Sequence, residues 1–155
     1  MDEHAPTFHD VSMVSTPIIR TFGIRYLRSG PGWLEAEFEP DERFANHSGY
    51  VQGGVLAVYL DNIMGQSCYT LVGPEQVLST TEMTLHFLEP ALLGPLKGTA
   101  RVVKRGRQML FVEGEVQDAR GKALARAVGS MLVLRRTRAE AARPAGHEPS
   151  GEGEG

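Results

Sequence analysis

Cysteine is nearly absent from this sequence, because Cys68 is the one cysteine among 155 residues. An intrachain disulfide is therefore excluded, and a single thiol is typical of proteins that fold in a reducing compartment. A secretory signal peptide is not expected either, because the first residues are polar and acidic and contain no apolar run. These features predict a cytoplasmic protein.

The sequence also lacks an excess of positive charge. It has 16 lysines and arginines against 19 aspartates and glutamates, a net charge of −3 at pH 7. Domains that bind nucleic acid are commonly basic, so no nucleic-acid partner is expected. There is no Gly-x-x-x-x-Gly-Lys-Ser/Thr loop, no Gly-x-Ser-x-Gly elbow and no metal-ligand spacing of histidine and cysteine. We therefore expect neither a P-loop nucleotide site, nor an α/β-hydrolase, nor a metal, nor a resident cofactor.

What the sequence does have is one long apolar stretch, residues 53–71. It contains no proline and is too long for an ordinary strand, which predicts a helix that is apolar nearly all round and therefore buried. Its length approaches that of a transmembrane helix, but Asp61 lies near its middle and argues against insertion into a membrane. An ionised carboxylate in an apolar setting is costly unless it is paired. Asp61 is therefore either bound to a backbone group or an arginine, or a catalytic carboxylate that faces a pocket.

Two glycines, Gly53 and Gly54, begin this predicted helix. The first N–H groups of a helix have no partner within the helix, and the helix dipole makes this end partly positive. Because glycine has no Cβ, another group can approach the backbone closely. The pair therefore fits a site for an anion or a polarised carbonyl oxygen, although an ordinary tight turn would also use it.

The other predicted elements are mostly strands. A clean alternation of apolar and acidic residues over 33–39 predicts a half-buried strand. Further strands are predicted over 77–88, 96–104, 109–117 and 123–135, and a short helix over 17–22 with Thr16 as its N-cap. One strand, a long helix and then four strands predict an α+β fold with an antiparallel sheet curled round the helix.

We expect one domain, over residues 16–135. Residues 1–15 show no clear period and are predicted to be a mobile N-terminal segment. Residues 136–155 are rich in alanine, arginine, glutamate, glycine and proline, have almost nothing to bury, and are predicted to be a disordered tail.

The ordered set Asn46, Gly49, Gln52-Gly53-Gly54 and Asp61 resembles the signature of the hotdog-fold thioesterases. In that signature an asparagine and a glycine precede a His-Gly-Gly triplet, and an aspartate follows. The closest type is the phenylacetate-pathway (PaaI-type) acyl-CoA thioesterase. Residues 80–91 resemble the family strand that ends in Phe-Leu-x-Pro-Ala, and residues 103–107 resemble its basic Gly-Arg hairpin. The resemblance covers about residues 16–134.

The resemblance implies a curved antiparallel sheet of five to six strands wrapped round one long central helix. It implies an enzyme that hydrolyses an aryl- or medium-chain acyl-CoA thioester. The Gly53 N–H, with Gly54 beside it, would hold the carbonyl oxygen, and Asp61 would either activate a water or attack the carbonyl itself. Asn46 would orient the substrate or the water, and the Thr80 hydroxyl would help to hold that water, although Thr80 also suits an ordinary strand.

Two further positions follow from the resemblance. Gln52 stands where the family usually has histidine, and glutamine forms hydrogen bonds but does not titrate, which weakens an acid or base role here. Lys104, Arg105 and Arg107 would bind the phosphates of CoA, although a solvated hairpin tip would carry the same residues.

The spacing along the predicted helix bears on assembly. Gly53 and Asp61 are eight residues apart, about 12 Å along a helix axis, so one carbonyl group does not easily reach both. A site shared between two protomers resolves this, and we expect a homodimer or a dimer of dimers, as the family forms.

Other functions on the same fold remain open at this stage. One is a non-catalytic protein that binds acyl-CoA or another small ligand, and Gln52 gives it weight. Another is a hotdog hydratase or dehydratase, which usually places a histidine against a carboxylate, so Gln52 counts against it. Five residues suit either an acyl pocket or the core and dimer contacts: Tyr50, Tyr59, Met64, Tyr69 and Phe87.

Overall fold

The computed structural model describes residues 14–137. The predicted N-terminal segment and C-terminal tail lie outside these residues, apart from residues 14, 15, 136 and 137. The helices are α1 (Pro17–Thr21) and α2 (Gly53–Tyr69), with a short 3-10 turn at Glu42–Phe44. The strands are β1 (Ile24–Gly30), β2 (Trp33–Phe38), β3 (Gln76–Phe87), β4 (Leu96–Arg105), β5 (Met109–Gln117) and β6 (Ala123–Arg135).

The short helix α1 begins and ends as its sequence predicts. The side chain of Thr16 accepts a hydrogen bond from the backbone N of Ile19 at 3.5 Å, and Pro17 occupies the first helical position. Gly23 follows the helix with φ of 62°, a conformation that favours glycine. Ile19 is buried, so α1 is fastened to the core.

Six strands form one antiparallel sheet in the order β1-β2-β4-β5-β6-β3. The predicted strands are confirmed, and β1 is the addition that sequence patterning did not find. A register shift between Tyr26 and Arg28 interrupts its alternation, which hides the period of two. β1 and β3 are the two edges of the sheet.

Glycines on the sheet allow α2 to pack closely against it. A Cβ atom at Gly98 would lie 2.9 Å from Cδ1 of Ile63, and one at Gly114 would lie 2.9 Å from Cγ of Met64. Real side chains do not approach so closely, so these positions require glycine. The helix contributes eight buried residues: Val55, Leu56, Tyr59, Leu60, Ile63, Met64, Ser67 and Cys68. Cys68 belongs to this buried core, and burial raises the pKa of its thiol to about 12.

The prediction that α2 is buried all round is wrong on one face. Gly54 and Asp61 are exposed, and Ala57 and Val58 are half-buried. Their spacing of three and four residues puts them on the side of the helix turned away from the sheet. The carboxylate of Asp61 is therefore not buried within one chain.

Two classes of site find no place in the described part of the chain. No group of histidine, cysteine, aspartate or glutamate within residues 14–137 is arranged to hold a metal ion. No helix in the same range is long and apolar enough to cross a membrane.

Candidate active site

An open pocket of about 420 Å³ lies at the N-terminal end of α2. It is walled by the loop before the helix, by the first turn of the helix and by the end of β3. Its lining is mainly apolar and consists of Asn46, Ser48, Tyr50, Val51, Gly53, Leu56, Phe87, Leu88, Glu89, Pro90 and Ala91.

The loop before α2 holds Asn46 in one orientation. Its Oδ1 accepts hydrogen bonds from the backbone N of Ser48 at 2.9 Å and of Tyr50 at 3.1 Å. Its own backbone N donates to the carbonyl of Tyr50 at 2.7 Å, and Gly49 makes the turn with φ of 82°. Because the side-chain oxygen is occupied, the Nδ2 group is left to donate to a ligand.

The first turn of α2 presents unpaired backbone donors. Gln52 is the N-cap, but its exposed side chain makes no capping hydrogen bond. Within residues 14–137 no acceptor binds the N–H of Gly53 or Gly54. The ring of Phe87 lies 3.5 Å from the position of a Cβ on Gly53. Gly53 therefore borders the pocket beneath an aromatic ring, whereas Gly54 is exposed and outside the lining.

Asp61 has a different partner from those that its sequence setting suggests. Oγ1 of Thr80 donates a hydrogen bond to Oδ1 of Asp61 at 3.0 Å, and no arginine in the described residues pairs with this carboxylate. Thr80 lies at a bulge of β3, where the register shifts between Thr80 and Glu82. Both side chains are exposed beside the open edge of the sheet.

The candidate residues thus form two separate groups within one chain. We call Asn46 and Gly53 the pocket half and Asp61 with Thr80 the carboxylate half. The pocket lining includes neither Asp61 nor Thr80. Gly53 and Asp61 are about 12 Å apart along α2. The N–H donors of the pocket half and the carboxylate of the other half are therefore too far apart to act on one carbonyl group within a single chain.

A model of the thioesterase superfamily matches residues 48–125, half of the chain. This chain belongs to the thioesterase superfamily. A phenylacetic acid degradation-related protein from Ralstonia eutropha is 31% identical in its solved structure, with a TM-score of 0.73, over 77% of this chain and 92% of that one. Human acyl-coenzyme A thioesterase 13 is 29% identical over 66% of this chain and 74% of its own length. The proofreading thioesterase EntH of Klebsiella pneumoniae is 28% identical over 68% of this chain and 77% of its own length.

These matches confirm the hotdog fold and the thioester hydrolase class that the sequence motifs predict. The matched segment contains the whole carboxylate half and part of the pocket half, with Gly53 inside it and Asn46 just before it. The roles of these residues stay predictions.

The basic residues of this superfamily member lie across the sheet from the carboxylate half. Lys104, Arg105 and Arg107 are exposed at the hairpin between β4 and β5. The register places Arg105 opposite Leu110, Leu110 opposite Met131 and Met131 opposite Thr80. Arg105 is therefore three strand spacings, about 14 Å, from Thr80 in the same row.

Sequence patterning found only some of the pocket. Of the five residues that suit either an acyl pocket or the core and dimer contacts, Tyr50 and Phe87 line the pocket. Tyr59 and Met64 are instead buried in the core, and the Tyr69 hydroxyl accepts a hydrogen bond from the backbone N of Leu78 at 3.2 Å. Patterning did not place Leu56 and residues 88–91 in the pocket, although the Phe-Leu-x-Pro-Ala motif marks that segment.

Proposed function

We propose that this chain is an acyl-CoA thioesterase whose active site forms between two copies. One observation carries the proposal: Thr80 binds Asp61 at an open sheet edge, away from the pocket of the same chain. A second copy placed along that edge would bring its Asp61 to the pocket half. Each dimer would then hold two sites, as the two-fold symmetry of homodimers requires.

The edge itself favours such pairing. β3 pairs with β6 on one side only, has twelve residues without proline, and is largely exposed. A long edge strand without proline is a template for pairing with another strand. We therefore expect two copies of β3 to pair in antiparallel fashion.

The two halves define the register of that pair. Phe87 lies against Gly53 and Thr80 holds Asp61, so the shared site is complete in the register that sets the partner's Thr80 opposite Phe87. The bulge after Thr80 adds one residue to the strand. With that extra residue left unpaired, Leu85 lies opposite the partner's Met83. The two copies of Thr84 then lie opposite each other, on the two-fold axis.

In the assembled site the thioester carbonyl oxygen would accept hydrogen bonds from the Gly53 N–H and from Nδ2 of Asn46. The partner's Asp61 would either remove a proton from the attacking water or attack the carbonyl to form an anhydride that water then hydrolyses. In both routes the C–S bond breaks, the sulfur leaves as the CoA thiolate and takes up a proton, and the acid is released. The helix N-terminus stabilises the oxyanion in either case.

The lining of the pocket favours an uncharged acyl group. Tyr50, Leu56, Phe87 and Leu88 offer apolar surface suited to an aryl or medium-chain group. Lys104, Arg105 and Arg107 would bind CoA phosphates. The reaction as proposed uses no cofactor besides the CoA of the substrate, and we expect it to take place in the cytoplasm.

The first test is thiol release from a panel of aryl- and fatty-acyl-CoA esters, with wild type and Asp61→Asn compared. We expect the variant to lose about 10²- to 10⁴-fold in kcat, because asparagine is neither a base nor a nucleophile. The variant must remain folded and dimeric. An Asp61→Asn protein with wild-type turnover would refute the carboxylate mechanism.

A second test asks whether the site is shared. Pro is tolerated at the first position of a helix, so Gly53→Pro should remove one N–H with little effect on the fold. Mixed with Asp61→Asn, it forms heterodimers in which one of two sites is intact, and about a quarter of the wild-type activity should return. Verified heterodimers without activity would place both residues in the same site of one chain.

A third test examines the register. In an otherwise unchanged chain, Thr84→Cys should give a disulfide-linked dimer on mild oxidation, because the two copies lie opposite each other. Thr99→Cys, on the exposed face of β4, is the matched control and should remain unlinked. Linked Thr99→Cys with unlinked Thr84→Cys would mean that another surface forms the dimer.

The alternative is a protein that binds acyl-CoA without hydrolysis. The exposed, untethered Gln52 favours it, since the usual histidine of the family is absent. Tight binding of CoA esters without turnover across the panel would establish it. A hotdog hydratase usually places a histidine against a carboxylate, and Gln52 occupies the position of the obvious candidate.

A further inference from the structure

An ion pair between Glu89 and Lys122 lies at the wall of the pocket, with Nζ of Lys122 2.9 Å from Oε1 of Glu89. Glu89 and Pro90 line both the pocket and a second cavity of about 400 Å³, so they form the wall between the two. Lys122 lines the second cavity but not the pocket. The pair is therefore oriented, with its carboxylate at the pocket and its ammonium group behind the wall.

This wall is fastened on both sides by backbone hydrogen bonds. The backbone N of Leu88 and that of Glu89 both donate to the carbonyl of Leu124 in β6, at 2.8 and 3.2 Å. On the other side, the backbone N of Val51 donates to the carbonyl of Ala91 at 2.9 Å. The fold thus holds the backbone of Glu89 beside the pocket.

Lys122 is held on the far side by the turn between β5 and β6. Its backbone N donates to Oδ1 of Asp118 at 2.9 Å, and the backbone N of Asp118 donates to the carbonyl of Lys122 at 3.0 Å. Gly121 makes this turn with φ of 83°. The ammonium group therefore reaches Glu89 from outside the pocket.

The ion pair leaves negative charge at the pocket. The side chains of Glu89 and Lys122 are 42% and 59% exposed, and ion pairs at such exposure are weak because water screens them. Among residues 14–137, the pocket lining includes no lysine, arginine or histidine, and Glu89 is its only charged residue. A ligand in the pocket therefore meets a carboxylate and no cation.

We propose that Glu89 is a specificity-determining residue that excludes acyl groups ending in a carboxylate. The inference rests on the proposed function and narrows its substrate class to thioesters whose acyl chain carries no negative charge. An ω-carboxyacyl group would lose part of its hydration in the pocket and would gain no ion pair there. The like charge of Glu89 adds a repulsion that apolar walls alone do not supply.

The test compares two CoA thioethers that cannot be hydrolysed, S-hexyl-CoA and S-(5-carboxypentyl)-CoA, in which a carboxylate replaces the terminal methyl group. Calorimetry gives the ratio of their Kd values, so that the contribution of the shared CoA cancels. We expect wild type to bind the neutral thioether about tenfold more tightly or better, because the charged one is repelled. Glu89→Gln removes that charge and keeps the shape, so it should reduce the ratio about fivefold.

Lys122→Met makes the opposite change, since it removes the cation behind the wall and keeps most of the length of the side chain. The ratio of the two Kd values should rise about twofold, because an exposed cation neutralises its partner only in part. Glu113→Gln is the matched control and should leave the ratio unchanged. Glu113 pairs with Arg101, its side chain is 41% exposed, and it does not line the pocket.

Equal ratios for wild type and Glu89→Gln would overturn the proposal. So would an equal weakening of both thioethers by Glu89→Gln and by Lys122→Met, since the ion pair would then support the wall without selecting the ligand. Turnover of hexanoyl-CoA and adipyl-CoA should follow the same order in kcat/KM. If the thioethers are discriminated as expected but neither ester is hydrolysed, the role of Glu89 stands and the proposed thioesterase activity fails.

Discussion

The pocket half and the carboxylate half are built in opposite ways. The pocket half borders a mainly apolar cavity, and its own polar groups are the Gly53 N–H and the Asn46 amide, which a hydrogen-bonded loop holds. Glu89, the carboxylate in the pocket lining, pairs with Lys122. The carboxylate half has a carboxylate and a hydroxyl but lies exposed at a sheet edge, outside that pocket. One half would stabilise an oxyanion without a base, and the other would supply a base without a place for the substrate.

A single folded chain therefore does not bring together the groups that the proposed reaction uses. A carboxylate in water is an ordinary base, and only burial or a neighbouring group changes its chemistry. A partner that covers the β3 edge would provide that burial. Four changes test the division of labour between the halves.

The largest effect in this set is expected in the pocket half. Gly53→Pro deletes the N–H, whereas Gly53→Ala keeps it and puts a methyl in ordinary contact with Phe87. We expect Gly53→Pro to lower kcat about 10²- to 10³-fold and Gly53→Ala to lower it far less. Equal losses in steady-state kinetics would mean that space beneath the ring, not the N–H, is what matters.

Two substitutions of Asn46, also in the pocket half, distinguish its role in holding the loop from its role as a hydrogen-bond donor to the substrate. Asn46→Asp keeps both acceptor bonds to Ser48 and Tyr50 but replaces the donor with a negative charge. It should lower kcat about 10- to 100-fold at unchanged thermal stability. Asn46→Ala should also lower the unfolding free energy, by about 1–2 kcal/mol. An active Asn46→Asp enzyme would reduce Asn46 to a loop residue.

In the carboxylate half, a smaller effect is expected from Thr80→Val, which preserves shape and removes the hydroxyl bound to Asp61. The loss of kcat should be about five- to tenfold, because one exposed hydrogen bond is removed. Thr80→Ser keeps the hydroxyl and serves as the control. If the serine variant is as impaired as the valine variant, the methyl group rather than the hydrogen bond is important.

The smallest effect is expected at Gln52, which borders the pocket half without binding to it. Gln52→Ala should change stability by no more than about 0.5 kcal/mol and kcat/KM by about twofold. Gln52→His would introduce a group that titrates near pH 6.5, and the pH profile should then gain an inflection there. A tenfold loss in Gln52→Ala would make this side chain part of the oxyanion site.

Much of the fold was predictable from local patterns. Thr16, Pro17 and Gly23 mark α1, and strict alternation marks β2, because capping and the period of two act over a few residues. The edge strand β1 was not predictable, since its bulge breaks the period. The exposed face of α2 was missed because Ala57 and Val58 are apolar whether they face a sheet, a partner or water.

The amino-acid sequence was sufficient to predict the antiparallel α+β architecture, the position of the long helix and the order of Asn46, Gly53 and Asp61. Those features depend on residue type and spacing along the chain. The three-dimensional fold was needed to find that Thr80 is the hydrogen-bond partner of Asp61 and that neither residue lines the pocket. Register across six strands and the open edge of β3 set those contacts, because they join residues far apart in the chain.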